Sequence, residues 1–398
     1  MPLRLHLKPG RHIPVLRGHP WVLSGAVARA EGDTADDEAE IVAADGTVLG
    51  RATHHPTSEI RARCFATDPA ARLDAPGIRS RLAAALERRT RWAPTAPDGA
   101  VRLVFSESDG LPGLIVDRYA DVLVVQFLTA PLEARRALVL EALVALAHPR
   151  SIYERSDVDA RRLEGLEPRQ GLLWGEALSG PVRFVEGPWL FVADVEHGHK
   201  TGFYLDQRES RRRLADWVRT LGAPRVLNVF AYSDAFGVCA LSSGAAEVLS
   251  LDSSAAAAAL AETHHALNPV PAGGAWRWCA GDAFATLRAL REAGESFDLV
   301  VLDPPRLVSR RSHLREGLRG YKDLNLLAFH LLRPAGLLFT FSCSGLVDRE
   351  LFAKVLEGAA RDARRCPRVL ELLGLPPDHP RPPRFPEADY LKGFVLGL

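Results

Sequence analysis

The chain has 398 residues, 47% hydrophobic and 25% charged, with 50 Lys and Arg against 49 Asp and Glu. Such a length exceeds one ordinary hydrophobic core, so two or three domains are expected, and the composition excludes wholesale disorder. A net charge of +1 gives no bulk attraction to nucleic acid, so any basic groove must be local.

Residues 1–72 alternate short apolar runs with Gly, Pro and Asp: 3–7, 15–16, 21–23, 39–42, 48–52 and 59–65. That spacing predicts a small β-barrel, with the acidic stretch 31–40 at a loop tip. Helical spacing follows over 79–92. Strand-like segments come next at 101–105, 113–116 and 122–127, then a helix at 132–147, a strand at 151–154 and β-rich sequence to about 185. This is an α+β module over 73–187. From Tyr204 onward, helices and buried strands alternate, with strands at 226–230, 247–252, 276–280, 299–302 and 337–343. Strands bounded by helices of this length predict a parallel sheet covered on both faces, an α/β fold whose ligands bind beyond the carboxyl ends of the strands.

Four of those strand ends finish in polar or reactive residues: Asn228, Asp252, Asp303 and Cys343. Asp252 closes the run VLSLD, where a doubly wound fold sets a carboxylate against ribose hydroxyls; capping of the helix that follows is the alternative. Asp282 stands one strand later and suits an adenine-contacting loop, or again a cap. In FDLVVLDPPR, two prolines remove two backbone donors and hold Asp303 at a rigid strand end, as a catalytic or base-reading carboxylate or as part of a structural turn. Cys343 ends LLFTFSCSG and is either a buried small hydrophobe or a nucleophile. The other cysteines, Cys64, Cys239, Cys279 and Cys366, are scattered and read as packing residues; neither a zinc site nor a disulfide framework is expected. No apolar run approaches the roughly 20 residues that span a bilayer, so a cytoplasmic protein without a membrane partner is expected.

The strings GHPWVLSGA (18–26), LVFSESDGLPGLIVDRY (103–119), HKTGFYLDQRESR (199–211), DHP (378–380) and YLKG (390–393) span nearly the whole chain. Together they resemble the bacterial 23S rRNA cytosine-5 methyltransferases. The resemblance implies a PUA-like β-barrel (1–72), a central EEHEE-type α+β domain (73–187) and a Rossmann-like class I methyltransferase domain (188–398). It also implies S-adenosylmethionine as cofactor, RNA as partner and, as in many members, a homodimer. Cofactor contacts would come from Asn228, Phe230, Tyr232, Ser233, Asp252 with Ser253, Asp282 with Ala283, and Asp303. Lys200, Tyr204, Asp206 and Arg208 would line the cofactor and substrate cleft. Cys343 would add to C6 of a flipped-out cytosine while Asp303 holds its N3 and N4 edge. A sister group sharing KTGFYLDQR and DPP methylates guanine N7 without a covalent adduct; Cys343 favours cytosine.

One loop departs from the family pattern. Where it has Thr-Gly-Gly, this chain has Ser233, Asp234 and Ala235. Glycine there allows close backbone approach and left-handed angles, whereas Asp234 adds bulk and charge. It would repel the cofactor carboxylate, pair with its ammonium, or cap the following helix. A weakened cofactor site, recruitment to another ligand, and a non-catalytic RNA-binding protein all stay open. Basic character is local: Arg4, Lys8, Arg11 and Arg17 near the N-terminus, and arginines within 208–213 and 306–319 beside the predicted site edge.

Overall fold

The computed structural model describes residues 2–398 and separates them into two units. One comprises residues 2–185, Ala193–Leu205 and Pro377–Ala388; the other comprises Glu186–Val192, Asp206–Pro376 and Asp389–Leu398.

In the first unit, Leu3, Leu5 and Leu7 point inward along the strand Leu3–Leu7, the period of two that a half-buried strand requires. It lies in a six-stranded sheet ordered Trp21–Leu23, Ile60–Ala66, Val48–His54, Glu38–Val42, Leu3–Leu7, Val27–Glu31. The two outermost strands are separated in sequence only by Ser24–Ala26, so the sheet must curl back on itself. Two local expectations are corrected. Residues 15–16 lie in a single helical turn, Ile13–Leu16, whose start Pro14 favours. Val27–Glu31 is a strand, so the acidic loop shrinks to 32–37.

A five-stranded sheet follows in the order Arg169–Gly175, Ser151–Ser156, Val122–Phe127, Leu114–Tyr119, Ala100–Phe105. Only Val122–Phe127 and Ser151–Ser156 run parallel, because the helix Arg136–Ala147 carries the chain back between them. The helix Ala75–Trp92 begins four residues before the sequence expectation. Asp74 caps it by accepting from the Gly77 N–H at 2.9 Å, and Pro76 stands in its first turn. Buried carboxylates are paired: Asp117 accepts two bonds from Arg102 at 2.8 Å and one from Thr201 at 2.7 Å. Asp378 of the DHP string accepts from the Arg102 N–H at 3.0 Å, which ties that C-terminal string to this unit.

The second unit is built on a seven-stranded sheet, in the order Ala275–Ala280, Glu247–Asp252, Arg225–Val229, Phe297–Leu302, Leu332–Ser342, Lys392–Gly397, Arg368–Leu373. The first five strands are parallel, and Lys392–Gly397 enters antiparallel between Leu332–Ser342 and Arg368–Leu373. Neighbouring residues feed opposite faces: Leu227 packs with Phe329 and Phe352, Val226 with Leu214 and Phe339. Cover on both sides explains why these strands read as continuous apolar runs. Strand order reverses between Arg225–Val229 and Phe297–Leu302, the switch point at which such sheets bind ligands.

Among the described residues, no helix is long and apolar enough to cross a membrane and no cluster of His, Cys, Asp and Glu is suited to a metal ion. All five cysteines are free thiols. Burial pushes the Cys64 thiol up to about 12 and raises that of Cys239, which suits packing roles for both.

Candidate active site

Parallel strands deliver their carboxyl ends to one edge of the sheet, and Asn228, Asp252, Asp303 and Cys343 all fall at that edge of the second unit. Asp303 directly follows the strand Phe297–Leu302, and its N–H reaches the Val229 carbonyl at 3.4 Å. Pro304 and Pro305 then end the ladder for want of an N–H. The half-buried Asp303 carboxylate accepts from Gln207 Nε2 at 2.8 Å. Cys343 leaves the neighbouring strand, and its Sγ stands 3.9 Å from the Pro304 carbonyl oxygen. The acid and the thiol therefore share one rim.

The turn carrying Cys343 is held from below. Ser344 Oγ accepts from the Val308 N–H at 3.2 Å and lies 3.0 Å from the Tyr321 hydroxyl. Lys392 Nζ donates to the Ser344 carbonyl at 2.7 Å and the Tyr390 carbonyl at 2.9 Å. Lys392 as a residue is only 2% exposed, and burial pulls its pKa down to about 8.

The departing loop is resolved in detail. Asp234 adopts φ 57° at the N-cap position of the helix Ala235–Ser242, yet its side chain makes no cap bond. Instead its carboxylate is fully buried and receives Asn228 Nδ2, Ser250 Oγ, His265 Nε2 and Trp276 Nε1, each at 2.7 Å. His265 also stacks on Trp276, with ring centroids 4.0 Å apart. None of the three roles expected for Asp234 applies, because the charge is turned into the protein. Burial lowers the pKa of His264, whose Nδ1 lies 2.8 Å from the Ser233 carbonyl oxygen and whose Nε2 lies 3.0 Å from the Val192 nitrogen and 3.1 Å from its carbonyl oxygen.

Asp252 does not cap its helix; Ser254 does, accepting from the Ala257 N–H at 3.2 Å. Asp252 instead accepts from the N–H groups of Tyr232 and Ser254, both at 2.9 Å, joining two loops at the strand ends. Phe230 and Tyr232 are half-buried and Ser233 is buried. Asp282 is exposed and caps the helix Ala283–Glu292 through the Ala285 N–H at 2.9 Å; Ser253 is exposed and Ala283 buried. Asp206 is buried and accepts from the Tyr390 hydroxyl at 2.7 Å. Arg208 lies 3.6 Å from Glu186, which Arg211 grips with two bonds of 2.6 and 2.7 Å. Lys200 and Tyr204 belong to the first unit, where the Lys200 ammonium sits 4.2 Å from the Tyr204 ring centroid.

Sequence reasoning passed over Gln207, although it lies within the HKTGFYLDQRESR string, and Lys392, which lies within YLKG. It also missed Ser250, His265 and Trp276, which no local pattern marks. The basic segments sort differently from expectation. Arg4 is paired with Glu40, and Arg211, Arg212 and Arg213 all have carboxylate partners. Arg306, Arg310, Arg311, Arg315 and Arg319 are exposed, with no carboxylate at ion-pair distance among the described residues.

S-adenosylmethionine carries an ammonium, a carboxylate, a ribose diol and an adenine. The residues present fit it: the buried Asp234 leaves the loop presenting backbone rather than negative charge, and Asp252 stands half-buried beside the switch point. Residues 118–395 match the family model described as S-adenosylmethionine-dependent methyltransferase, and residues 5–67 match a PUA-like domain. The chain is 43% identical to ribosomal RNA large subunit methyltransferase I of Aeromonas salmonicida, covering 100% of this chain and 99% of that protein. It is 42% identical to the protein of the same name from Escherichia coli O139:H28, covering 99% of each. In fold it resembles the crystal structure of SMU.776, described as a methyltransferase, complexed with SAH (TM-score 0.87, 20% identity, 100% of each chain). A SAM-dependent methyltransferase from Streptococcus mutans superposes similarly (TM-score 0.85, 19% identity, 100% of each chain). Sheet order, strand-end chemistry and end-to-end relatives converge, and the chain belongs to the S-adenosylmethionine-dependent methyltransferases.

Proposed function

We propose that the protein methylates C5 of a cytosine in large-subunit ribosomal RNA. The names of its relatives support the RNA substrate, and the observation that carries the base chemistry is the shared rim of Asp303 and Cys343, with Sγ 3.9 Å from the Pro304 carbonyl. Phe230, Tyr232, Ser233, Asp252, Ser253, Asp282 and Ala283 would hold the cofactor, with Asn228 bracing the loop through Asp234. The same reading assigns Lys200, Tyr204, Asp206 and Arg208 to cofactor and substrate binding, resting on the KTGFYLDQR string alone.

S-adenosylmethionine supplies the electrophilic methyl group that C5 takes. The Cys343 thiolate adds to C6 of the extruded base, which raises electron density at C5. Asp303 binds the N3 and N4 edge and stabilises the adduct, while Gln207 fixes its carboxylate. Loss of the C5 proton to a base then expels the thiolate and restores the ring. Buried Lys392, charged below about pH 8, braces the turn from which the thiol projects. The unpaired arginines of 306–319 follow Asp303 in the chain and suit phosphates flanking the target. That the Asp234 carboxylate is buried and held by four donors supports this reading of the altered loop over the others.

The test is transfer of radiolabelled methyl to undermethylated large-subunit ribosomal RNA, with nucleoside analysis of the product. Wild type should yield 5-methylcytidine and Cys343→Ala none. Full activity in Cys343→Ala would exclude the covalent route.

A further inference from the structure

Phe230, Tyr232 and Asp234 all hold left-handed backbone angles, φ 62°, 48° and 57°, at alternate positions of the loop that follows Arg225–Val229. None is glycine, although side chains disfavour this region. Some other constraint must therefore fix the path.

The constraint is visible in the contacts of the loop. Its midpoint is tied by Asp252 at the Tyr232 N–H and by His264 at the Ser233 carbonyl. Its end is tied by the Asp234 carboxylate, whose two oxygens receive four donors from three strands and one helix. Gly237 makes the room, because a Cβ there would lie 2.3 Å from Asp234 Oδ1. A carboxylate is the side chain suited to this place: it is short, accepts at both oxygens and tolerates left-handed angles better than most.

We infer that Asp234 is a positioning residue for cofactor binding: its buried, four-donor hub locks the loop into the left-handed path that glycine would otherwise permit. The inference does not depend on which RNA base is methylated. Its consequence runs against simple motif repair. Asp234→Gly relieves the backbone angle but leaves Asn228, Ser250, His265 and Trp276 without their acceptor and frees the loop.

Isothermal titration of the full chain with S-adenosylhomocysteine, and with S-adenosylmethionine, tests this. Asp234→Gly should bind at least about tenfold more weakly, the factor for re-ordering a single freed backbone residue. Asp234→Asn keeps an acceptor oxygen and should fall between Asp234→Gly and wild type. Titration separates positioning from stability: positioning raises Kd at a stoichiometry near one per chain, whereas a purely structural role lowers the stoichiometry at wild-type Kd. An unchanged or tighter Kd in Asp234→Gly, or a loss confined to stoichiometry, would overturn the inference. If Asp234→Gly does not fold, Trp276→Phe decides, since it leaves an aromatic ring beside His265 and removes one donor. A weaker Kd there supports the hub, and an unchanged Kd overturns it.

Discussion

Replacing Lys392 with Met should change how stability depends on pH, by an amount the structure allows to be worked out. The Lys392 ammonium is buried, donates to two carbonyls, and has a pKa drawn down from 10.5 to about 8. Because the folded value lies below the unfolded one, the unfolded chain binds the extra proton between about pH 8 and pH 10.5. Stability from this group is therefore fully present above pH 10.5 and is lost as pH falls through about 8. The full gap is worth about 3 kcal/mol at 1.36 kcal/mol per pKa unit, and most of it, about 2 kcal/mol, is gained between pH 7.5 and 10. Urea unfolding of wild type and Lys392→Met across that range gives the difference directly, since titrations common to both proteins cancel. The wild type should gain on the variant as pH rises. A flat difference would refute the reasoning, and a decline would mean that Lys392 is stabilised as the ammonium by its carbonyl partners.

Other consequences are separable. Asp303→Asn keeps a side chain within reach of Gln207 but removes the carboxyl that would hand a proton to N3 as the thiolate adds; kcat should drop about 100-fold in the radiolabelled methyl-transfer assay. Neutralising Arg310, Arg311 and Arg315 together should lower the slope of log K against log salt for single-stranded ribosomal RNA fragments by about 2, at about 0.7 per phosphate contact, and leave cofactor affinity unchanged. Gly393→Ala should cost about 1–3 kcal/mol in chemical denaturation, because the new Cβ would lie 2.6 Å from the Phe341 ring and 2.8 Å from Leu373 Cβ, both in the packed interior of the sheet.

What the sequence displayed and what it hid divide along a physical line. Asp303 was legible because two prolines end a buried strand abruptly, and Cys343 because an apolar run stops at a polar turn; both signals are local in sequence. The parallel core was legible for the same reason, as its strands are apolar on both faces. Arg368–Leu373 was not: it is an edge strand with Val369, Leu370 and Leu372 exposed, and an irregular register between Val369 and Glu371 breaks its alternation. Lys392–Gly397 pairs with Leu332–Ser342, which precedes it by dozens of residues, a relation that periodicity does not express. Asp234 shows the limit most clearly. The residue type was plain, and so was the expectation that charge in a glycine loop would trouble a cofactor. The direction of its side chain was set by Ser250, His265 and Trp276, which stand 16, 31 and 42 residues away on other elements. A local pattern reads a substitution as damage when its compensation lies across the sheet, so the motif and its partners have to be judged together.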